Sequence, residues 1–165
     1  MVDKMKLLSK AFSQGESIPF KYSYEAGNLS PPLEWNSIPK QTKSLALILE
    51  DLDSPMFSWI HWIVYNIPIT LKGLPEGLPP EKELFEGVKQ GLNSWKRNCY
   101  GGPCPPWGTH RYVFKLYALD DKLDVDPDLS KTELIKLIEY HKIAEAKLVG
   151  NYTCKYEKWV TPIEK

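Results

Sequence analysis

Tyr100-Gly101-Gly102-Pro103-Cys104-Pro105-Pro106-Trp107-Gly108-Thr109-His110-Arg111-Tyr112-Val113-Phe114-Lys115-Leu116-Tyr117-Ala118-Leu119 is a Gly/Pro loop that delivers into a strand. Gly101, Gly102 and Gly108 permit backbone angles closed to other residues, while Pro103, Pro105 and Pro106 fix φ and carry no N–H, so the loop is stiff enough to hold one wall of a site. From His110 onward a period of two puts His110, Tyr112, Phe114, Leu116 and Ala118 on one face and Arg111, Val113, Lys115 and Tyr117 on the other. The face that buries Phe114 and Leu116 carries an imidazole and a phenol at its mouth. Such groups beside a core are costly unless partnered, so they are either hydrogen-bonded structural groups or a site.

Two other segments read as strong strands. Ser44 to Asp53 alternates Leu45, Leu47 and Leu49 with Ala46 and Ile48 in a nearly continuous apolar run. Continuing the alternation places Asp51 and Asp53 on the Leu47/Leu49 face, where they either cap the turn made by Ser54-Pro55 or serve a site. Trp59 to Pro68 puts Trp59, His61, Ile63 and Tyr65 on one side and Ile60, Trp62 and Val64 on the other, with Pro68 ending the ladder. His61 among apolar neighbours is by itself a core histidine, and it gains interest because His110 repeats the pattern.

The remaining text supports a mainly β chain. Residues 1–36 hold short apolar pieces and close on a turn through Pro31-Pro32; residues 69–98, rich in Gly, Pro and charge, read as a long surface excursion. Ser130-Lys-Thr-Glu133 has the spacing of a capping box, and Leu134, Leu137, Ile138 and His141 then fall on one helical face. Helical text continues towards Val149 and stops at Gly150 as a C-cap, leaving Tyr152 to Val160 as a last strand. His141 reads as structural or half exposed.

Composition removes several function classes. The 165 residues fit one domain spanning 1–165, and 21 basic residues balance 21 acidic ones without a run of one sign, so no nucleic-acid footprint is present. No stretch approaches the roughly 18 apolar residues of a membrane span and no signal-type apolar core opens the chain, which predicts a cytoplasmic protein without a transmembrane segment. Cys99, Cys104 and Cys154 are odd in number and lack CxxC spacing, against a disulfide framework or structural zinc; a Cys99–Cys104 bridge stays open beside idle thiols. Neither a cofactor nor a metal is called for by any motif.

Asp51-Leu-Asp-Ser-Pro55, the Trp59-Ile-His61-Trp62 strand and Gly102-Pro-Cys-Pro-Pro-Trp-Gly-Thr-His-Arg-Tyr112 resemble, in order, the signature stretches of the phosphatidylethanolamine-binding protein family. Asn28-Leu-Ser-Pro-Pro-Leu-Glu-Trp35 and Ala144-Glu-Ala-Lys-Leu-Val-Gly-Asn-Tyr152 are similar to its bacterial and archaeal, Raf-kinase-inhibitor-like branch. Leu52 departs from the proline more usual within the first motif. The resemblance implies an antiparallel Greek-key β-sandwich with short C-terminal helices and a small anion pocket walled by Asp51, Asp53, Pro55, Trp59, His61, Pro105, Pro106, His110 and Tyr112. It makes the Ser54–Pro55 bond a candidate for the cis isomer.

The function expected from this is binding: a phosphate-bearing small molecule or a lipid headgroup in the pocket, with a kinase or a serine protease as protein partner at its rim. Imidazole and phenol donors suit phosphate oxygens, and a carboxylate fixes a tautomer or meets an ammonium group. The alternative is a metal-assisted phosphodiesterase using Asp51, Asp53, His61 and His110; against it, the chain carries no nucleophile elbow, P-loop or His-Glu-x-x-His motif, so no catalytic residue is assigned. A third reading has the chain act through its surface alone, docking by the 69–98 excursion. Six tryptophans leave homodimerisation through aromatic surface open.

Overall fold

The computed structural model describes residues 4–55 and 58–155. Ser44–Asp51 (β3) is central, because its apolar residues face outward on both sides of the sheet and both faces are covered. Trp59–Ile67 (β4) pairs antiparallel along one edge of it and Thr109–Leu119 (β7) along the other, so that Leu49 lies opposite both Trp62 and Phe114. Lys89–Gln90 (β6) extends the sheet beyond β4, and Lys142–Thr153 (β8) extends it beyond β7, giving the order β6-β4-β3-β7-β8. Three successive antiparallel neighbours, β3, β4 and β6, with β7 returning beside the first, make a Greek key.

Lys6–Leu8 (β1), Leu33–Asn36 (β2) and Gly73–Leu74 (β5) form a second antiparallel sheet. Leu7, Leu33, Trp35 and Leu74 from it meet Leu45, Leu47, Leu49, Val64, Phe114 and Leu116 from the large sheet in one buried cluster, a sandwich-like core. The opposite face of the large sheet, with Ala46, Ile48, Ile63, Tyr65 and Tyr117, is covered by helix Lys131–His141 (α1), whose Leu134 and Ile138 are fully buried. Ser130 Oγ caps this helix, accepting from the Glu133 N–H.

Helix α1 is the one α-helix among the described residues, so the helical part of the expected fold is a single element lying between β7 and β8. The predicted continuation of helix to Val149 is replaced by strand. Ala146, Leu148, Gly150 and Tyr152 are buried at a period of two, and the pairing runs from Leu119 opposite Lys142 to Thr109 opposite Thr153. Ala, Glu, Lys and Leu favour helix locally, but the long edge of β7 overrides that preference. Gly150 is thus no C-cap: a Cβ there would lie 2.6 Å from Ile18 Cγ1 and 2.8 Å from Phe12 Cε2, so the position has to stay bare for the 12–18 segment to pack. β8 closes at Thr153, and residues 156–160 of the predicted last strand lie outside the described residues.

The 69–98 excursion is tied down rather than loose. Trp62 Nε1–H donates to Gln90 Oε1 at 2.7 Å, and Gln90 Nε2–H donates to the carbonyls of Pro79 (2.9 Å) and Glu81 (2.8 Å), which fixes the segment to β4 through a fully buried amide. Replacing Gly150 by valine is expected to lower unfolding stability by about 1–3 kcal/mol through overpacking against Ile18 and Phe12, read as a drop in urea midpoint at unchanged m-value.

Candidate functional site

The site begins with an irregularity in β4. Leu49 pairs with Trp62 and Glu50 with Ile60, so His61 is an extra residue, a β-bulge. Alternation alone groups His61 with Ile63 and Tyr65; in the structure those two face α1 together with Ile60, while Trp62 and Val64 face the inter-sheet core. The bulge frees His61 from both sets and lets it line the site. Its main chain and side chain then close a double contact with the proline loop: Gly101 N–H donates to His61 O at 2.9 Å, and His61 Nδ1–H donates to Gly101 O at 2.7 Å.

The loop is pinned from its other side by residues 22–28. Tyr100 OH donates to Tyr22 O, Tyr24 N–H to Pro103 O, and Gly102 N–H to Asn28 Oδ1 at 2.7 Å. A Cβ on Gly102 would sit 2.3 Å from Tyr22 O, so only glycine lets the two segments approach.

Asp51 ends β3 opposite Trp59 and Tyr112. Its Oδ2 accepts from His110 Nδ1–H at 2.7 Å and its Oδ1 from the Asp53 N–H at 2.8 Å, with only 7% of the residue exposed. The first bond orients the imidazole; the second makes the turn. That turn is built with a trans Ser54–Pro55 bond, since no cis peptide is present among the described residues; the Asp51 carboxylate already closes it by side-chain bonding.

Asp51, Pro55, Trp59, His61, Pro105, Pro106, His110 and Tyr112 line one cavity of about 430 Å³. Asp53 is not in its lining: its carboxylate takes a two-pronged grip on the Arg111 guanidinium at 2.8 and 3.0 Å, on the outer face of β7. Tyr24, Ser54, Trp95, Gly102 and Cys104 complete the lining. Of these, Tyr24 and Trp95 had no signal in the sequence, because each arrives from a loop distant in the chain; Trp95 stands edge-on to both Trp59 and His61, at 5.4 and 4.9 Å between ring centres.

Burial drives the His61 pKa down to about 4, against the opposing pull of the Gly101 carbonyl and Asp51, so this ring is neutral near pH 7 with Nδ1 protonated. Burial, and then the Asp51 charge, push the Tyr112 phenol up, so it keeps its proton and can donate. The Arg111 guanidinium holds Asp53 down to about 2, outside the cavity. His110 differs from His61: its Nδ1 faces a carboxylate, and Nε2 has no protein partner among the described residues. The four groups of the hydrolase alternative do not gather around a common point. Among the described residues, the ligand-type atoms that do lie within 4.8 Å of one another belong to Glu25, Cys104 and Cys154.

A family model described as phosphatidylethanolamine-binding protein matches residues 8–153. A UPF0098 protein of Methanothermobacter thermautotrophicus is 45% identical over 148 residues, covering 90% of this chain and 98% of the relative. The crystal structure of a Chlamydia trachomatis protein, described as a phosphatidylethanolamine-binding protein homologue, superposes with TM-score 0.81 at 42% identity, over 90% of this chain and 97% of that one. The crystal structure of Escherichia coli YbcL, described as a new member of the mammalian PEBP family, superposes with TM-score 0.86 at 33% identity, over 93% of this chain and 100% of that one.

The buried neutral His61 makes stability depend on acid. Its folded pKa lies below the ordinary 6.5, so its contribution is complete above pH 6.5 and is lost as pH falls towards 4. The loss amounts to about 3 kcal/mol. Urea unfolding at stepped pH should show this slope, and His61→Gln, less stable at neutral pH, should lack it.

Proposed function

The chain belongs to the phosphatidylethanolamine-binding protein family, and from that premise we propose that its cavity binds phosphate or a phosphorylated headgroup such as phosphorylethanolamine, without turning it over. The observation that carries the proposal is the Asp51–His110 pair at 2.7 Å on the cavity wall. The Asp51 carboxylate fixes the imidazole through Nδ1 and leaves Nε2 as the ring atom that hydrogen-bonds the phosphate group. The protonated Tyr112 hydroxyl supplies a donor beside it. Pro105 and Pro106 form a wall without N–H groups, and the faces of Trp59 and Trp95 suit the methylenes and ammonium of an ethanolamine arm.

The proposal takes 1–165 as one domain acting in the cytoplasm. Trp107, next to Pro106 in the chain and 73% exposed, and Leu52, next to Asp51, give the rim apolar surface for a protein partner of the kinase or serine protease class that the family resemblance suggests, or for a second copy of the chain. The pinning of the 69–98 segment through Gln90 disfavours docking by a free excursion loop.

Titrating phosphorylethanolamine and, separately, inorganic phosphate at low salt should shift the imidazole resonances of His61 and His110 and leave His141, which is bonded to Asp120, in place. Immobility of both site rings at about 10 mM ligand sinks the proposal. His110→Gln is expected to weaken binding about tenfold through loss of a hydrogen bond to the phosphate.

A further inference from the structure

Cys104 and Cys154 are 50 residues apart in the chain and belong to different elements, yet their sulfur atoms lie 2.7 Å from each other. Cys104 lines the cavity and leads directly into Pro105 and Pro106; Cys154 follows the last residue of β8. The pairing of Thr109 with Thr153, with their hydroxyls 2.6 Å apart, holds the two approaches side by side. Beside both sulfurs is the Glu25 carboxylate, which also accepts from Tyr152 OH at 2.6 Å and from the Lys155 N–H at 2.7 Å. Cys99, the third cysteine, takes no part in this cluster.

We propose that Cys104 and Cys154 form a reversible disulfide that fastens the proline wall of the cavity to the end of β8. Two thiolates sharing one zinc ion lie about 3.8 Å apart, because each Zn–S bond is about 2.3 Å at a tetrahedral angle. The observed approach is closer than that and favours a covalent pair over a metal site.

The oxidant is a low-molecular-weight disulfide. Cys104, facing the cavity, loses its proton to solvent and attacks one sulfur of the oxidant, forming a mixed disulfide and releasing one small thiolate, which takes up a proton. Cys154 then attacks the Cys104 sulfur. Cys154 gives up its proton to solvent as it attacks, and the second departing thiolate takes up a proton. Two protein thiols give up two electrons, and one small disulfide becomes two small thiols. Burial, then the hydrogen bond and charge of Cys104, and then the Glu25 carboxylate push the Cys154 thiol pKa up, so Cys154 is the resolving thiol and not the first to attack.

Closing the bridge restrains a loop whose Pro103, Pro105 and Pro106 carry no N–H, so the amides of Cys104, Trp107 and Gly108 are its reporters. Any effect on ligand affinity rests on the anion-pocket reading above; bridge formation does not.

The test treats the reduced full chain with oxidised glutathione. Free thiols should fall from three to one, with no glutathione retained on the protein. Peptide mapping should join the segments holding Cys104 and Cys154, leave Cys99 open to alkylation, and show the three reporter amides exchanging severalfold more slowly. Cys154→Ser should retain a glutathione adduct at Cys104, and Cys99→Ser should bridge normally. Bridges to Cys99, or three alkylatable thiols after oxidation, overturn the proposal. So does stoichiometric zinc bound by the reduced chain and lost in Cys154→Ser. Measured on the same two forms, phosphorylethanolamine affinity should differ severalfold. If the bridge forms and neither form binds, the anion-pocket reading fails and the disulfide stands; if both forms bind equally, the fastening of the proline wall by the bridge is refuted.

Discussion

The doubled hydrogen bond between His61 and Gly101 is the constraint from which the cavity follows. One bond joins main chain to main chain, as a strand would, while the other runs from the imidazole to the same glycine's carbonyl, so the proline loop is fixed in both position and tilt against β4. It requires His61 to stand out of the regular pleat, which the bulge achieves, and it requires a neutral ring with its proton on Nδ1, which burial enforces. Without that bulge the histidine would turn towards α1 and the loop would lose its side-chain anchor.

Two histidines of the same cavity are thereby held by different partners. His61, bonded to a neutral carbonyl inside the core, is a fixed neutral dipole. His110 is bonded to the Asp51 carboxylate, which also holds the turn after β3. A single carboxylate thus serves backbone and imidazole at once. The Arg111–Asp53 pair, one residue past His110 and two residues past Asp51, keeps a second carboxylate out of the cavity lining and so reduces the negative charge an anion meets.

The strands were legible where one pattern had no competitor. Leu45, Leu47 and Leu49 alternate without helix-forming charge between them, and His110 to Ala118 alternate so regularly that both faces could be assigned. Lys142 to Val149 were misread because Ile-Ala-Glu-Ala-Lys-Leu-Val supports either period, and what decides it, the open edge of β7, is not local. The phase change at His61 was hidden for a related reason: a bulge depends on which strand lies opposite, and no residue within Trp59 to Pro68 announces it. Motif residues on β3, β4 and β7 could be named in advance, whereas Tyr24 and Trp95 reach the cavity through loops whose course the sequence leaves undefined. The Cys104–Cys154 proximity escaped because the spacing of cysteines along a chain carries little information once two strands are in register.

The cavity's parentage has a consequence for how the molecule acquires it. Its walls come from residues near 24, 51–61, 95 and 101–112, and the segment that anchors the loop, 22–28, is separated from it by the whole of β2 to β6. No contiguous stretch of the chain contains enough of these contacts to hold the cavity alone, and closing such distant loops costs entropy before any contact compensates. The 22–28 segment finds a partner for Tyr22 in Glu76 but cannot bind the proline loop until Gly102 and Pro103 are also in place, so the cavity is a late contact of the N-terminal region.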